Sequence, residues 1–160
     1  GYVYRWSNEP SAFQTYRPLV RDKKNKFRGQ NNGHLLHGID QLPQTADHLF
    51  IASSRKDVMV LRRLGYLAVA PIGETTLKSL LAMVRELSAR FANIYIFYDS
   101  DAAGEASARN LHNITAWRPV FLPRPRIVCP KDPADLVLRT GNYFELSRFL
   151  STFNLSRYHI

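Results

Sequence analysis

Ile94-Tyr95-Ile96-Phe97-Tyr98-Asp99-Ser100-Asp101-Ala102-Ala103-Gly104-Glu105 passes from an apolar run through two carboxylates into a series of small residues. The run reads as a buried strand, and residues 102–113 read as the helix that follows it. The same alternation continues on both sides. Upstream, Leu49-Phe50-Ile51-Ala52 is a short apolar strand ending at Ser53-Ser54. Val58, Leu61 and Leu64 then recur on one helical face, with Gly65 as the stop. Tyr66 through Ile72 form a second strand, and Leu77, Leu80, Leu81, Val84 and Leu87 trace a longer helix. Downstream, Pro119-Val120-Phe121-Leu122 is a fourth strand, and residues 134–151 hold one or two more helices. No internal repeat occurs. Apolar strands separated by amphipathic helices predict an α/β fold, a Rossmann-like parallel sheet of about four strands flanked by helices. Ligands of such sheets gather at the carboxyl ends of the strands. Ser53-Ser54, Gly73-Glu74, Asp99-Ser100-Asp101 and the loop near Lys131-Asp132 are therefore the places to look.

Asp99 and Asp101 suit Mg²⁺, which takes oxygen ligands and commonly only one or two protein carboxylates, leaving other positions to water and phosphate. Asp101 equally suits the N-cap of the helix behind it. A second acidic segment, Cys129-Pro130-Lys131-Asp132-Pro133-Ala134-Asp135-Leu136, follows the fourth strand, where the architecture brings it beside the first pair. Asp132 also fits the start of a helix with Pro133 at its first position, and both roles can hold together.

The 160 residues allow one domain with an appendage. With 45% hydrophobic and 22% charged residues, neither disorder nor a fibrous repeat fits. The single cysteine, Cys129, excludes an internal disulfide and a multi-thiolate zinc site, fits a reducing compartment, and reads as a small apolar filler. No apolar run reaches the roughly 20 residues of a membrane span, and the first 30 residues lack a signal-peptide core, so a soluble protein is expected. A net charge of +9 favours phosphate-rich partners. Arg5, Arg17, Arg21, Lys23, Lys24, Lys26 and Arg28 crowd the first 30 residues against only Glu9 and Asp22. Trp6, Tyr16 and Phe27 interleave with them as on single-strand-binding surfaces, although core packing explains such aromatics as well. This arm reads as irregular or short β structure. His34 and His37 are weak metal candidates. Arg62 and Arg63 read as a solvated helix face, with contact to nucleic acid as the alternative. Ser53 and Ser54 lack a histidine at a recognisable spacing for nucleophilic chemistry.

The order strand, S-S-R-K-D, helix, G-Y strand, P-I-G-E, long helix, strand, Y-D-S-D-A-A-G, strand, K-D-P-A-D-L resembles the Toprim domain, most closely that of DnaG-type and phage DNA primases. Asp57, Gly65, Gly73, Asp99, Asp101, Ala103, Gly104, Asp132 and Pro133 fall in register with the family pattern over about residues 47–150. The segment from Tyr16-Arg17-Pro18-Leu19 to Lys26-Phe27-Arg28 and Gly38 resembles a shortened form of the basic segment that precedes Toprim in primases. The chain departs from the pattern where the family has a first-strand glutamate, for Ser53 and Ser54 stand there. Losing a positioned acid or base typically costs roughly 10²–10⁴ in rate. Glu74, after the second strand, is the candidate substitute, although it also suits the first turn of a helix.

The resemblance implies a primase catalytic core that makes RNA primers on single-stranded DNA by metal-dependent nucleotidyl transfer. Asp99, Asp101 and Glu74 would be catalytic, and Asp99, Asp101 and Asp132 would hold Mg²⁺ or Mn²⁺. Arg17, Lys23, Lys24, Lys26 and Arg28 would grip template or nucleotide, while Asp57, Gly73 and Gly104 would be structural. The expected organisation is a basic extension over 1–46, Toprim over 47–152 and a tail over 153–160. Expected partners are single-stranded DNA, nucleoside triphosphates and a replicative helicase or zinc-binding module, in the cytoplasm of a bacterial or phage-infected cell and away from membranes. Neither a zinc module nor a helicase P-loop occurs in the chain, and an initial Gly in place of Met points to a piece of a longer polypeptide. The rivals are a degenerate Toprim that binds nucleic acid without catalysis, and another Toprim enzyme of nuclease or topoisomerase type.

Overall fold

A computed structural model describes residues 2–7, 9–17, 19–22, 25, 27–30, 36–72, 77–123 and 130–158. Two sheets organise them. Strands β1 (Tyr2–Trp6), β2 (Glu9–Tyr16) and β3 (Phe27–Gln30) form an antiparallel sheet in that order. The larger sheet has the order β4-β6-β5-β7-β8, from β4 (Leu36–His37), β5 (Ala46–Ala52), β6 (Ala68–Pro71), β7 (Phe91–Phe97) and β8 (Arg118–Pro119). Its last four members pair in parallel, as the alternation of strands and helices predicts, and β4 adds an antiparallel edge on β6.

Helices α1 (Arg55–Arg63), α2 (Leu77–Arg90), α3 (Ala102–Thr115), α4 (Pro133–Thr140) and α5 (Phe144–Ser151) cover the sheet. Side-chain alternation along the strands sorts the core into two layers. Leu49 and Ile51 of β5 and Ile94 and Ile96 of β7 pack with Leu80, Leu87, Leu111 and Trp117. Phe50, Ala52, Tyr95 and Phe97 face the other way, onto Val58, Leu61, Leu146 and Leu150. The chain runs from β5 outward to β6, then crosses back to β7 on the other side of β5. Strand order therefore reverses between β5 and β7, and that is where a crevice opens in such sheets.

Several elements differ in detail from expectation. β5 begins at Ala46, because Ala46 and His48 find partners in Phe91 and Asn93. β8 ends at Pro119, after which the Val120 N–H continues the ladder to the Ile96 carbonyl. The last helical stretch is two helices, separated at Gly141, which caps α4 with φ +69°. Arg62 is neither on a solvated face nor placed for nucleic acid. Its guanidinium donates to the Gly38 carbonyl (2.7 Å), the Ala68 carbonyl (3.2 Å) and Gln41, tying the 3₁₀ turn Ile39–Gln41 to the sheet. His37 is buried in β4, whereas His34 and Cys129 lie outside the described residues. Among the described residues, no helix is long and apolar enough to cross a membrane.

Replacing Arg62 by Met keeps the apolar stem but strips the Gly38 and Ala68 carbonyls of their donor. The variant is expected to lose about 1–3 kcal/mol of unfolding free energy in urea titration. A wild-type midpoint would show that the turn holds without it.

Candidate active site

Ala52 and Phe97 are partners in the β5–β7 register, so the chain leaves both strands side by side. Ser53 follows one strand and Asp99 stands just beyond the other, and their side chains meet. The Ser53 Oγ lies 2.6 Å from Asp99 Oδ1 and 3.2 Å from Asp57 Oδ2. A hydroxyl has one proton, so it serves one carboxylate at a time.

Asp57, in the first turn of α1, is wholly buried. It accepts from Ser54 Oγ (2.6 Å) through Oδ2 and from the Ala134 N–H (3.0 Å) through Oδ1. The latter bond docks the first turn of α4 against the first turn of α1. Ser100, between the two aspartates of the D-S-D turn, points inward. Its N–H donates to the Lys131 carbonyl, and its Oγ accepts from the Leu122 N–H at 3.0 Å. Three strand ends and the α4 N-terminus are thereby drawn together. Asp132 caps α4 by accepting from the Asp135 N–H, with Pro133 behind it. The Lys131 ammonium then lies 3.2 Å from Asp99 Oδ2 and 3.6 Å from Asp132 Oδ2.

Asp101 does not join them around this ammonium. It is exposed and caps α3, accepting from the Gly104 N–H at 2.8 Å. Gly104 itself has no room for a side chain, since a Cβ there would come 2.2 Å from the Asp99 carbonyl oxygen. Asp99, Asp101 and Asp132 all line one cleft of about 1000 Å³, but only Asp99 and Asp132 share a cation. Among the described residues, no group of three or more His, Cys, Asp or Glu side chains is placed to hold a metal ion. The pair still suits a hard divalent ion, because carboxylate oxygens from two segments already converge on one positive charge.

The opposite wall comes from the small sheet. Ala12 packs on Ile39 and Ile72, and on the same face of β2 Gln14 and Tyr16 extend over the cleft with Phe27 of β3. Arg55, at the start of α1, donates to Gln14 Oε1 (3.1 Å) and lays its guanidinium over the Tyr4 ring. Burial lowers its pKa and that of His37, which burial and the nearby Arg55 push down to about 4. The Lys131 ammonium is raised, first by its hydrogen bond to Asp99. Burial pushes Asp57 up to about 6, aided by the Asp132 and Asp99 charges and opposed by its hydrogen bonds.

Of the basic residues, Arg17 and Arg28 are exposed, and Arg28 donates to Asn25 Oδ1. Lys23, Lys24, Lys26, Gly73 and Glu74 lie outside the described residues. The sequence pattern marks Lys131 only as part of a strand-end loop, with no role of its own, and does not mark Arg55. The lysine's place beside Asp132 was the available signal, whereas nothing local marks Arg55 as a partner of β1 and β2.

No family model matches the chain, and no curated protein does. Solved structures match it in fold. The primase fragment of the bacteriophage T7 primase-helicase superposes with a TM-score of 0.65 at 19% identity, over 92% of this chain and 60% of that one. The primase domains in a complex with T7 lagging-strand DNA polymerase, an RNA/DNA hybrid and dTTP give 0.67 at 16% identity, over 98% and 76%. The zinc-binding and RNA polymerase domains of Aquifex aeolicus primase give 0.66 at 20% identity, over 90% of this chain but 37% of that one. At these identities the likeness establishes a shared fold.

Because the Asp57 carboxyl is raised from 3.8 to about 6, the folded state holds its proton more tightly than the unfolded chain does. Its contribution to stability is complete below the unfolded value and is lost as pH rises through about 6. Asp57→Asn cannot ionise. Relative to wild type, the variant should gain stability between about pH 4 and pH 7, read from denaturation midpoints at each pH. A constant offset would contradict the buried-carboxylate assignment.

Proposed function

We propose that this chain carries the catalytic core of a DNA primase, joining ribonucleotides on a single-stranded DNA template. One observation carries the reading: Asp99 and Asp132, from two separate strand-end segments, meet around a single cation at the switch point of a primase-like sheet. Under this reading Asp99 and Asp132, with Asp101 at the same cleft, would hold Mg²⁺ or Mn²⁺. Such an ion, when bound, orients a triphosphate and offsets the charge that develops during in-line displacement.

The chain's own groups take the remaining tasks. Ser53 has no carboxylate to accept a proton, and its hydroxyl orients Asp99 instead. We assign the missing acid to Glu74, which follows β6 in sequence. The Lys131 ammonium occupies the place between the two aspartates that the ion would take. Arg17, Lys23, Lys24, Lys26 and Arg28 would meet template or nucleotide phosphates, making affinity fall steeply with salt. Residues 1–46 would act as the basic extension, 47–152 as the Toprim unit and 153–160 as the tail. The partners would be single-stranded DNA and nucleoside triphosphates, with a helicase or zinc-binding module supplied elsewhere in a bacterial or phage-infected cytoplasm.

One observation favours a second reading, a module that binds nucleic acid without catalysis: the first-strand acid is a serine. Primer synthesis on single-stranded DNA with Mg²⁺ or Mn²⁺ separates the two. Wild type is expected to synthesise, Asp99→Ala to be inactive, and Glu74→Ala to fall by roughly 10²–10⁴. Absence of synthesis with DNA binding intact would install the module in its place. Cleavage of the strand would point to a nuclease.

A further inference from the structure

We propose that Tyr16 and Phe27 form a stacking platform for an unpaired nucleobase on the cleft wall that faces the aspartates. The two residues are direct cross-strand partners of β2 and β3. Their rings are stacked, with centroids 4.9 Å apart and planes 20° from parallel. Phe27 is 49% exposed. An apolar ring so placed gains nothing from water, and a ring held against a second ring is already ordered before any base arrives. Both rings line the cleft that holds Asp99 and Lys131.

The platform's position is set by its neighbours. Strand alternation puts Ala12, Gln14 and Tyr16 on one face of β2. Ala12 is buried on Ile39 and Ile72, and the Gln14 amide donates to the Ile72 carbonyl at 3.5 Å. Arg55 then links Gln14 to the turn that begins at Ser53. The buried end of the face is thus anchored to the large sheet, and its far end carries the two rings over the cleft. Every base has a π face, so such a platform accepts any base while cationic side chains of the same cleft, Lys56 among them, meet the phosphates. A strand of nucleic acid and a free nucleotide both offer that base. This inference rests on the reading of the cleft as a nucleic-acid site, and it concerns binding, not chemistry.

The test is fluorescence anisotropy without divalent metal, using labelled oligodeoxythymidylate, the same backbone with abasic residues, and a labelled nucleoside triphosphate. Phe27→Ala should weaken binding of the base-bearing strand, the nucleotide, or both by roughly 5- to 100-fold. Phe27→Trp should restore it, and Phe27→Leu, which keeps apolar volume without a ring, should not. The abasic strand should bind wild type and Phe27→Ala alike. Loss confined to the strand assigns the base to template, and loss confined to the nucleotide assigns it to the incoming substrate. Unchanged affinity in Phe27→Ala, full affinity in Phe27→Leu, an equal loss with the abasic strand, or no binding by wild type would each overturn the platform. Asp99→Asn separates the two ideas. Synthesis lost in that variant with binding unchanged in Phe27→Ala rejects the platform alone, and a Phe27 effect on binding without any synthesis rejects the polymerase alone.

Discussion

A carboxylate removed entirely from water joins the end of β5 to the start of α4, and the site depends on that joint. Asp57 receives the Ser54 hydroxyl on one side, with the Ser53 hydroxyl shared between it and Asp99, and the Ala134 N–H on the other. Hydrogen bonds to a charged group are worth roughly 1.5–3 kcal/mol each, and breaking them underground is dearer still. The more visible ion pairs of Lys131 are weaker. Its side chain is 56% exposed, and pairs of that kind contribute about 0.2–1 kcal/mol. The magnitudes decide the causality: Asp57 and Ser100 bring Asp132 to Asp99, and the lysine ammonium settles into a place already made.

The serine pair makes sense in the same terms. A small hydroxyl can sit between a buried carboxylate and a half-buried one, where two acids are already close enough to raise Asp57. A fourth carboxylate, at Ser53, would meet that repulsion unless a cation of higher charge were present. With Asp57, Asp99 and Asp132 set against one lysine ammonium, the cluster keeps an excess of negative charge that a divalent cation at Asp99 and Asp132 would offset.

The fold was legible because periodicity reports burial. Leu49 through Ala52 and Ile94 through Phe97 are apolar on both faces, as a strand covered by helices must be, and the aspartates that follow them mark the rim. The role of Asp101 as a cap was equally readable from the small-residue helix behind it. What lay beyond reach depends on contacts distant in sequence. Arg62 looked like a surface residue because its acceptors, the Gly38 and Ala68 carbonyls, leave no mark in the residue pattern. The short β4 strand, only Leu36–His37, is too brief for any periodicity to show. Arg55 joins the two sheets through Gln14 and Tyr4, partners on strands whose alternation is blurred by aromatics on both faces.

With the small sheet anchored over one wall and the acids on the other, the cleft has an aromatic side and a charged side, and the whole account turns on what the charged side holds. A crystal soaked in Mn²⁺, read by anomalous scattering, examines this most directly. The expected result is a peak between Asp99 and Asp132 with the Lys131 ammonium moved away from both. A crystal in which that lysine keeps its two carboxylate contacts, with no anomalous peak beside them, would contradict it.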